Sequence, residues 1–463
     1  MCSLMDRIGG QSRTSSPLSL PLADTSPRAD TIYRPFFKAG IAVTLTLGAV
    51  WGAYLLVRIA LNGSFTAAGL HEVNAHGHAQ IFGWVGLFVM GFAYQAFPRF
   101  KQTTLAHPNG ALVSLWLMLA GIIGRSVLEP LASSVAWAGP AAVVASMLEV
   151  AAIGLFVRII VATWRGSGKP LVLFDYYILS SLAWFIVQAI YESIYLTATL
   201  YAADRDELIS LVATWQGALR DVQIHGFAML MILGVSQRIL HHHYGVPVPS
   251  RRLSLAALLC LNAAILGEVL GLVMHRVGGS AWIGLWYGSV LVLATTVTIR
   301  VWNLRVFTTL TEPDRTLKFI RAAYAWLLIS LAMLVLLPVH QHVLVPWLAP
   351  SSEAARLHFS HAYFGAIRHA ITVGFISLMI VGVAARVVPT LSGVDPQRLS
   401  KLWGPFLLLN AGCALRVCGQ LLTDFVPAAF PITGISGMLE VLGLALWAIH
   451  LWPIMSGRLL RFV

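Results

Sequence analysis

The sequence predicts an all-α polytopic membrane protein with about 12 transmembrane helices in three pseudo-symmetric four-helix arcs. Three observations lead to this prediction. First, 58% of the 463 residues are hydrophobic and only 11% are charged, whereas a soluble domain carries about 25% charged residues. Second, apolar segments long enough to cross a bilayer follow one another between short loops. Third, glycine-containing segments recur at nearly equal intervals along the chain.

The N-terminal residues differ from the rest of the chain. Residues 1–34 are rich in Ser, Pro and Arg and have no apolar periodicity, which predicts a disordered cytoplasmic tail. No signal-peptide core precedes the first apolar segment, so we expect that segment to remain as a membrane helix. Residues 35–463 are expected to form one transmembrane domain.

Hydropathy predicts twelve spans in this domain. They cover residues 36–61, 74–98, 109–128, 134–163, 173–200, 211–240, 252–275, 281–306, 317–345, 357–388, 401–425 and 433–455. The four cysteines form neither a C-x-x-C pair nor a C-x-x-C-H motif. We therefore expect no disulfide framework, and any haem should be bound non-covalently.

Basic residues are concentrated at the termini and in the loops after even-numbered spans. The positive-inside rule then predicts that both termini are cytoplasmic, in a multi-pass protein of a bacterial inner membrane. The net charge of +12 is accounted for mainly as a topology signal. We expect the protein to lie in a lipid bilayer and not to bind nucleic acid.

An internal repeat relates spans two, six and ten. Aligning the glycines near the ends of these spans pairs His78 with His369 and places Asp221 at the corresponding position of span six, with His225 about one turn deeper. The aligned glycines are Gly91, Gly234 and Gly382. If this alignment reflects a true repeat, the three spans surround a pseudo-threefold axis and each faces an inner site.

Two histidines, His76 and His78, lie near one end of span two. A polar side chain at membrane depth is costly and usually faces the protein interior, and imidazole is the commonest metal ligand. About 200° separate the two side chains on an ideal helix, so we expect them to serve different sites. The alternative interpretation is that both are buried histidines bonded to backbone or solvent.

Spans six and ten contribute further candidates. His225 and His369 are deep in their spans, and His361 lies at the mouth of span ten. Arg220 and Arg368 are close to these histidines in sequence and could bind haem propionates, because a guanidinium matches the geometry of a carboxylate. Structural ion pairs are the alternative for both arginines.

From these residues we predict a bis-histidine b-type haem between His78 and His369. His76 and His225, together with His361, are the candidate ligands of a second haem or of copper or non-haem iron. Glu192 and Glu268 lie mid-span and are candidates for a proton path to a redox centre. Pairing of these two carboxylates with buried arginines or hydroxyls is the alternative.

The pattern of histidines on spans two, six and ten resembles subunit one of haem-copper oxidases and nitric oxide reductases. The chain is more similar to the NnrS family of haem- and copper-containing membrane proteins. Three segments carry this similarity: Arg34-Pro-Phe-Phe37, His76-Gly-His78 through Pro98, and His369-Ala-Ile-Thr-Val-Gly374 through Arg386. Haem-copper enzymes carry an adjacent pair of metal-ligand histidines on span seven. Span seven of this chain has only His275, at its edge.

The resemblance implies a haem-copper-oxidase-like domain with one or two b-type haems. It also implies a role in nitric oxide metabolism or nitrosative-stress defence, with nitric oxide or another small diatomic molecule as ligand and an unidentified electron donor. Nitric oxide reduction at a haem or metal centre is the candidate activity. The alternatives are a secondary transporter with a histidine-lined path and a non-catalytic haem sensor or metal-delivery protein.

Overall fold

The computed structural model describes residues 31–244, 250–308, 314–357 and 359–457. Within these ranges twelve helices are long and apolar enough to cross a membrane, which confirms the predicted number of spans. In chain order they are α1 Tyr33–Asn62, α2 Leu70–Phe100, α3 Pro108–Leu131, α4 Ala138–Gly166, α5 Leu173–Leu200, α6 Arg205–His241, α7 Arg251–Gly278, α8 Ser280–Asn303, α9 Leu317–Val335, α10 His361–Leu391, α11 Trp403–Leu422 and α12 Pro427–Met455.

Several helix ends differ from the hydropathy prediction. Helix α1 begins at Tyr33, within the predicted tail, whereas residues 1–30 lie outside the described residues. Helix α2 begins at Leu70 because the Glu72 side chain accepts a hydrogen bond from the Gly69 backbone N–H (2.8 Å) and caps the first turn. Helix α9 ends at Val335, ten residues before the predicted end, and short helical pieces follow around Pro338.

Helices α2, α6 and α10 form the centre of the molecule. In their most hydrophobic stretches 83%, 78% and 61% of the residues are buried, compared with 22–50% in the other nine helices. A helix that is apolar on all sides is stable only when neighbours surround it. The outer helices pack as the neighbouring pairs α3–α4, α7–α8 and α11–α12, and α12 also packs along α1. The arrangement in three four-helix arcs stays a prediction.

Each central helix contains an eight-residue π-helical segment. The segments are Ala79–Gly86 in α2, Val222–Met229 in α6 and Ala370–Ser377 in α10. They begin directly after His78, Asp221 and His369, the residues that the sequence alignment placed at one equivalent position. Because π-helical turns are rare and often occur at functional sites, this recurrence directs attention to the helix turns just before the segments.

Glycines within the π segments allow each central helix to approach the helix that precedes it. A Cβ atom added at Gly226 would lie 2.9 Å from the Trp184 ring on α5, and one added at Gly374 would lie 2.5 Å from the Trp326 ring on α9. Gly83 on α2 contacts Val43 on α1 in the same way. A side chain at these positions would push neighbouring helices apart.

Candidate functional site

Polar side chains converge at the ends of α2, α6 and α10 that lie on the side of the loops after odd-numbered helices. They form two groups. The first, here called the open group, contains His76, His369, Arg368, Arg416 and Glu440. The second, called the closed group, is built around His78 and Arg125.

The two histidines of the open group share one arrangement. His76 Nδ1 lies 3.0 Å from the Gly48 carbonyl oxygen on α1, and His369 Nδ1 lies 2.9 Å from the Gly365 carbonyl oxygen on its own helix. A carbonyl oxygen can only accept, so each Nδ1 carries the proton and each Nε2 has a free lone pair. Neither Nε2 has a hydrogen-bond partner among the described residues. This tautomer is the one in which imidazole binds a metal through Nε2.

Glycine makes room for the His76 ring. The ring packs directly against Gly52 of α1, where any Cβ atom would overlap its Cε1 atom. The residues that hold the ring, Gly48 and Gly52, therefore lie on a different helix from the histidine itself. Their separation of about one turn on α1 places both on the same face of that helix.

Cationic side chains surround these imidazoles. His369 is within electrostatic range of His76, Arg368 and Arg416, and His76 is within range of Arg416 and Arg220. Arg416 is only 5% exposed. The Nε and Nη1 atoms of Arg416 have no hydrogen-bond partner among the described residues, and neither does Oε1 of Glu440.

Buried charges without partners are expensive. Arg416 acts electrostatically with Glu440, but the two side chains form no salt bridge within 4.0 Å among the described residues. The guanidinium group of Arg368 also makes no hydrogen bond to the described part of the chain. Among the described residues, guanidinium groups without hydrogen-bond partners thus lie near two imidazoles whose Nε2 atoms also have none.

Arg220 is positioned by polar neighbours at the edge of the open group. Its Nη1 donates to Gln223 Oε1 (2.7 Å) and its Nη2 donates to Asn74 Oδ1 (3.4 Å). Gly77 lies beneath the guanidinium, because a Cβ atom there would be 3.4 Å from Nη2. Arg220 therefore bridges α2 and α6 next to His76.

The closed group, in contrast, satisfies its own hydrogen bonds. His78 is fully buried; its Nδ1 accepts from Arg125 Nη1 (3.0 Å) and its Nε2 donates to Glu149 Oε1 (2.8 Å). Arg125 also forms salt bridges with Glu192 (3.0 Å) and Glu129 (3.1 Å). With both ring nitrogens occupied, His78 could bind a metal only if one of these hydrogen bonds were broken.

The closed group extends toward the start of α2 on one side and toward α6 on the other. Glu129 Oε1 lies 3.1 Å from His71 Nδ1 near the mouth of α2, and Gln223 on α6 donates a hydrogen bond to Glu192. Glu192, predicted for a proton path, is thus engaged in an ion pair, which was the alternative interpretation. Whether it carries protons stays a prediction.

The open and closed groups occupy equivalent positions in the repeat. His78, Arg125 and Glu149 on α2, α3 and α4 precede His369, Arg416 and Glu440 on α10, α11 and α12 by one constant interval. Glu149 lies against Gly121, and Glu440 lies against Gly412 with its Cγ 2.7 Å from the position of an added Cβ. The same three residue types therefore bond to one another in the closed group, whereas in the open group His369 bonds to its own backbone and no hydrogen bond joins it to Arg416 or Glu440 within the described residues.

His225 forms a third arrangement, in the middle of α6. Its Nδ1 lies 2.9 Å from Glu268 Oε2 on α7, and both side chains are buried. Asp221 is within electrostatic range of His225, Glu268 and Arg368. A carboxylate bound to Nδ1 of a histidine is the usual means of orienting a metal-ligating ring. Glu268, predicted for a proton path, is therefore placed to orient His225.

The remaining predictions concern metals. The His361 side chain is exposed at the start of α10, where its ring contacts Phe359. Among the described residues no group of three or more His, Cys, Asp or Glu side chains could hold a metal ion. The described side chains alone thus offer no complete site for copper or non-haem iron, whereas a haem needs only one or two axial ligands.

Sequence reasoning missed the arginine and glutamate of each group. Sequence reasoning uses Arg125 only as part of the topology signal, does not consider Glu129, assigns no role to Arg416, and treats Glu149 and Glu440 only as buried carboxylates. Extending the repeat alignment from α2 and α10 into the next two helices would have found them. The constant interval pairs Arg125 with Arg416 and Glu149 with Glu440.

A protein-family model described as NnrS protein matches residues 30–458, which is nearly the whole chain. No curated protein matches the chain significantly.

Proposed function

The chain belongs to the NnrS family, and from that premise we propose that it is a haem-binding protein of the bacterial inner membrane. In this proposal it acts in nitric oxide metabolism or nitrosative-stress defence. The observation that carries the proposal is the pair of imidazoles in the open group. In both imidazoles the Nδ1–H group donates a hydrogen bond to a backbone carbonyl oxygen. In both, the Nε2 atom has no hydrogen-bond partner among the described residues.

In this proposal His76 and His369 would hold a b-type haem through their Nε2 atoms. This differs from the pair predicted from sequence, because the hydrogen bonds to Arg125 and Glu149 occupy both nitrogens of His78. His76 and His369 come from two of the three central helices, so one cofactor would connect α2 to α10. Two imidazole ligands supply electron-transfer chemistry to a bound haem.

The unpaired arginines support the same assignment. Haem propionates are carboxylates, and Arg416 has two buried nitrogen atoms without a hydrogen-bond partner among the described residues. Arg368 and Arg220 are close to the histidines as well. A charge-assisted hydrogen bond from a guanidinium to a carboxylate would compensate a buried charge that the described residues leave unpaired.

His225 is the best candidate for a centre that binds nitric oxide. A haem with two protein ligands has no open position, whereas nitric oxide needs one. Glu268 orients His225 through Nδ1, so only the Nε2 atom of His225 is left to bind a metal. His225 would therefore serve as a single protein ligand to a second haem or metal. Reduction of nitric oxide by electrons from the His76–His369 haem is the activity that this arrangement would support.

The test is the optical spectrum of protein expressed with a supply of haem. We expect a Soret band and a low-spin signal that His76→Ala and His369→Ala each remove, because each substitution deletes one axial ligand. His78→Ala should keep the low-spin signal in the protein that folds. The matched control is His107→Ala, an exposed histidine on the opposite side of the membrane, which should leave the spectrum unchanged.

Two outcomes would contradict the proposal. Protein without any Soret band would favour a transporter with a polar path. Loss of the low-spin signal in His78→Ala, with retention in His76→Ala, would restore the ligand pair predicted from sequence. A measured haem content of two per chain that falls to one in His225→Ala would support the second centre.

A further inference from the structure

A partly open apolar cavity lies between the C-terminal parts of α2, α6 and α10, on the other side of the π segments from the histidines. Its free volume is about 90 Å³. Apart from the Ser236 hydroxyl, every lining side chain is apolar, and most come from α2, α6 and α10. The cavity is therefore separate from the polar groups described above.

The three central helices contribute equivalent positions to this cavity. The intervals that align His78, Asp221 and His369 also align the lining residues in triplets. Three triplets are Phe88, Met231 and Met379; Val89, Ile232 and Ile380; and Phe92, Val235 and Val383. A cavity lined by the same positions of three related helices lies on the axis that relates them.

A layer of leucines separates the cavity from the π segments. Leu87, Leu230 and Leu378 occupy one equivalent position, directly between each π segment and the first lining residue, and all three are fully buried. Any molecule in the cavity is therefore one layer of side chains away from the helical turns that lead to the histidines.

The size and lining of the cavity define its ligand. A single water needs about 10–15 Å³ of such volume and two to four polar partners, so the cavity has room for water but not the hydrogen bonds. Pockets for drug-sized ligands measure roughly 300–1,000 Å³, well above this volume. Apolar cavities of comparable size stay dry and take up xenon or small hydrocarbons.

We propose that this axial cavity is a binding site for a small, uncharged, apolar molecule no larger than a small hydrocarbon. It would hold such a molecule between the three central helices, separated from the polar groups by the leucine layer and the π segments. Nitric oxide belongs to this class, and its assignment as the natural occupant rests on the proposed function. The binding site itself does not depend on whether the protein contains haem.

Xenon is the probe for the test. Purified full-length protein under xenon pressure should show a xenon atom in the cavity by crystallography, because xenon scatters strongly and has no hydrogen-bond requirement. Val235→Phe and Val383→Phe, two independent variants on α6 and α10, should each remove the site by filling it. Val292→Phe is the matched control, because Val292 faces outward on α8 and is 45% exposed.

Three results would overturn the inference. The first is the lack of a xenon site in the wild-type cavity, and the second is xenon that persists there in both filling variants. The third is ordered water or a lipid or detergent chain in its place. If one filling variant fails to fold, the other and the milder Ala93→Leu, on α2, provide the same measurement. Because xenon binding is read without haem, failure of the haem proposal and failure of this site are distinguishable.

Discussion

Arg125 and Arg416 are the same residue type at equivalent positions, yet their surroundings differ. Arg125 forms salt bridges with Glu129 and Glu192 and donates to His78. Arg416 leaves two buried nitrogen atoms without a partner among the described residues. One guanidinium therefore completes a structural network, whereas the other is available for an anionic ligand. The difference is a matter of neighbours rather than of residue identity.

This contrast predicts opposite effects of one substitution. Arg125→Met should destabilise the protein by about 3–5 kcal/mol, because the buried carboxylates of Glu129 and Glu192 would lose the cation with which they pair. Arg416→Met should change the stability of haem-free protein little or raise it, since it removes an unpaired buried charge. Thermal unfolding in detergent would measure both effects.

Haem content provides the second measurement for the same pair. Arg416→Met should lower the amount of haem retained after purification, because a propionate would lose its guanidinium partner. Arg58→Met is the control, since Arg58 is paired with Glu72 at the surface and exposed salt bridges contribute about 0–1 kcal/mol. Equal destabilisation by Arg125→Met and Arg416→Met would contradict the distinction between the two groups.

At the scale of helices, glycines decide how closely the central helices pack. Gly234 on α6 lies against α5, where an added Cβ atom would be 2.7 Å from Tyr177 Cβ. Gly154 on α4 has no heavy atom within 4 Å of such a position. Glycine in a helix interior lowers helix stability. At Gly234 the close packing against α5 offsets this loss, whereas at Gly154 no close contact offsets it.

Alanine substitution tests this difference between the two glycines. Gly234→Ala should lower stability by about 1–3 kcal/mol, because the rigid backbone of α5 must move to avoid overpacking. Gly154→Ala should raise it by up to about 1 kcal/mol through helix propensity. Thermal midpoints of the two variants, measured side by side, check both signs. A stabilised Gly234→Ala variant would show that α5 and α6 are not held in this close contact.

At the scale of the whole molecule, the twelve candidate spans of the described residues predict that the start of α1 and the end of α12 lie on the same side of the membrane. The positive-inside rule assigns that side to the cytoplasm. This orientation predicts that the open and closed groups and His225 lie toward the outer half of the bilayer and the axial cavity toward the cytoplasmic half.

Reporter fusions test this orientation. A fluorescent protein that folds only in the cytoplasm should be bright when fused to the C-terminus. Alkaline phosphatase, which is active only outside the cytoplasm, should be active when inserted between α5 and α6, within residues 201–204. The reverse pattern would invert the topology and place the histidines on the cytoplasmic side.

The sequence by itself determined the membrane class, the twelve spans and the histidine-bearing helices. The length of an apolar segment and the interval between glycines can be read along the chain, so they can be recognised without knowledge of the fold. The same reasoning placed His76 and His78 on different faces of α2, and the structure agrees: His76 contacts α1 and His78 contacts α3 and α4.

Only the tertiary structure decided which imidazoles have a free nitrogen. His78 and His369 are equivalent in sequence, but the partners of His78 come from α3 and α4, whereas Nδ1 of His369 is bound by its own helix. Periodicity within one helix carries no information about what a neighbouring helix donates or accepts. Hydrogen bonds between distant parts of the chain therefore separate a structural histidine from a candidate ligand.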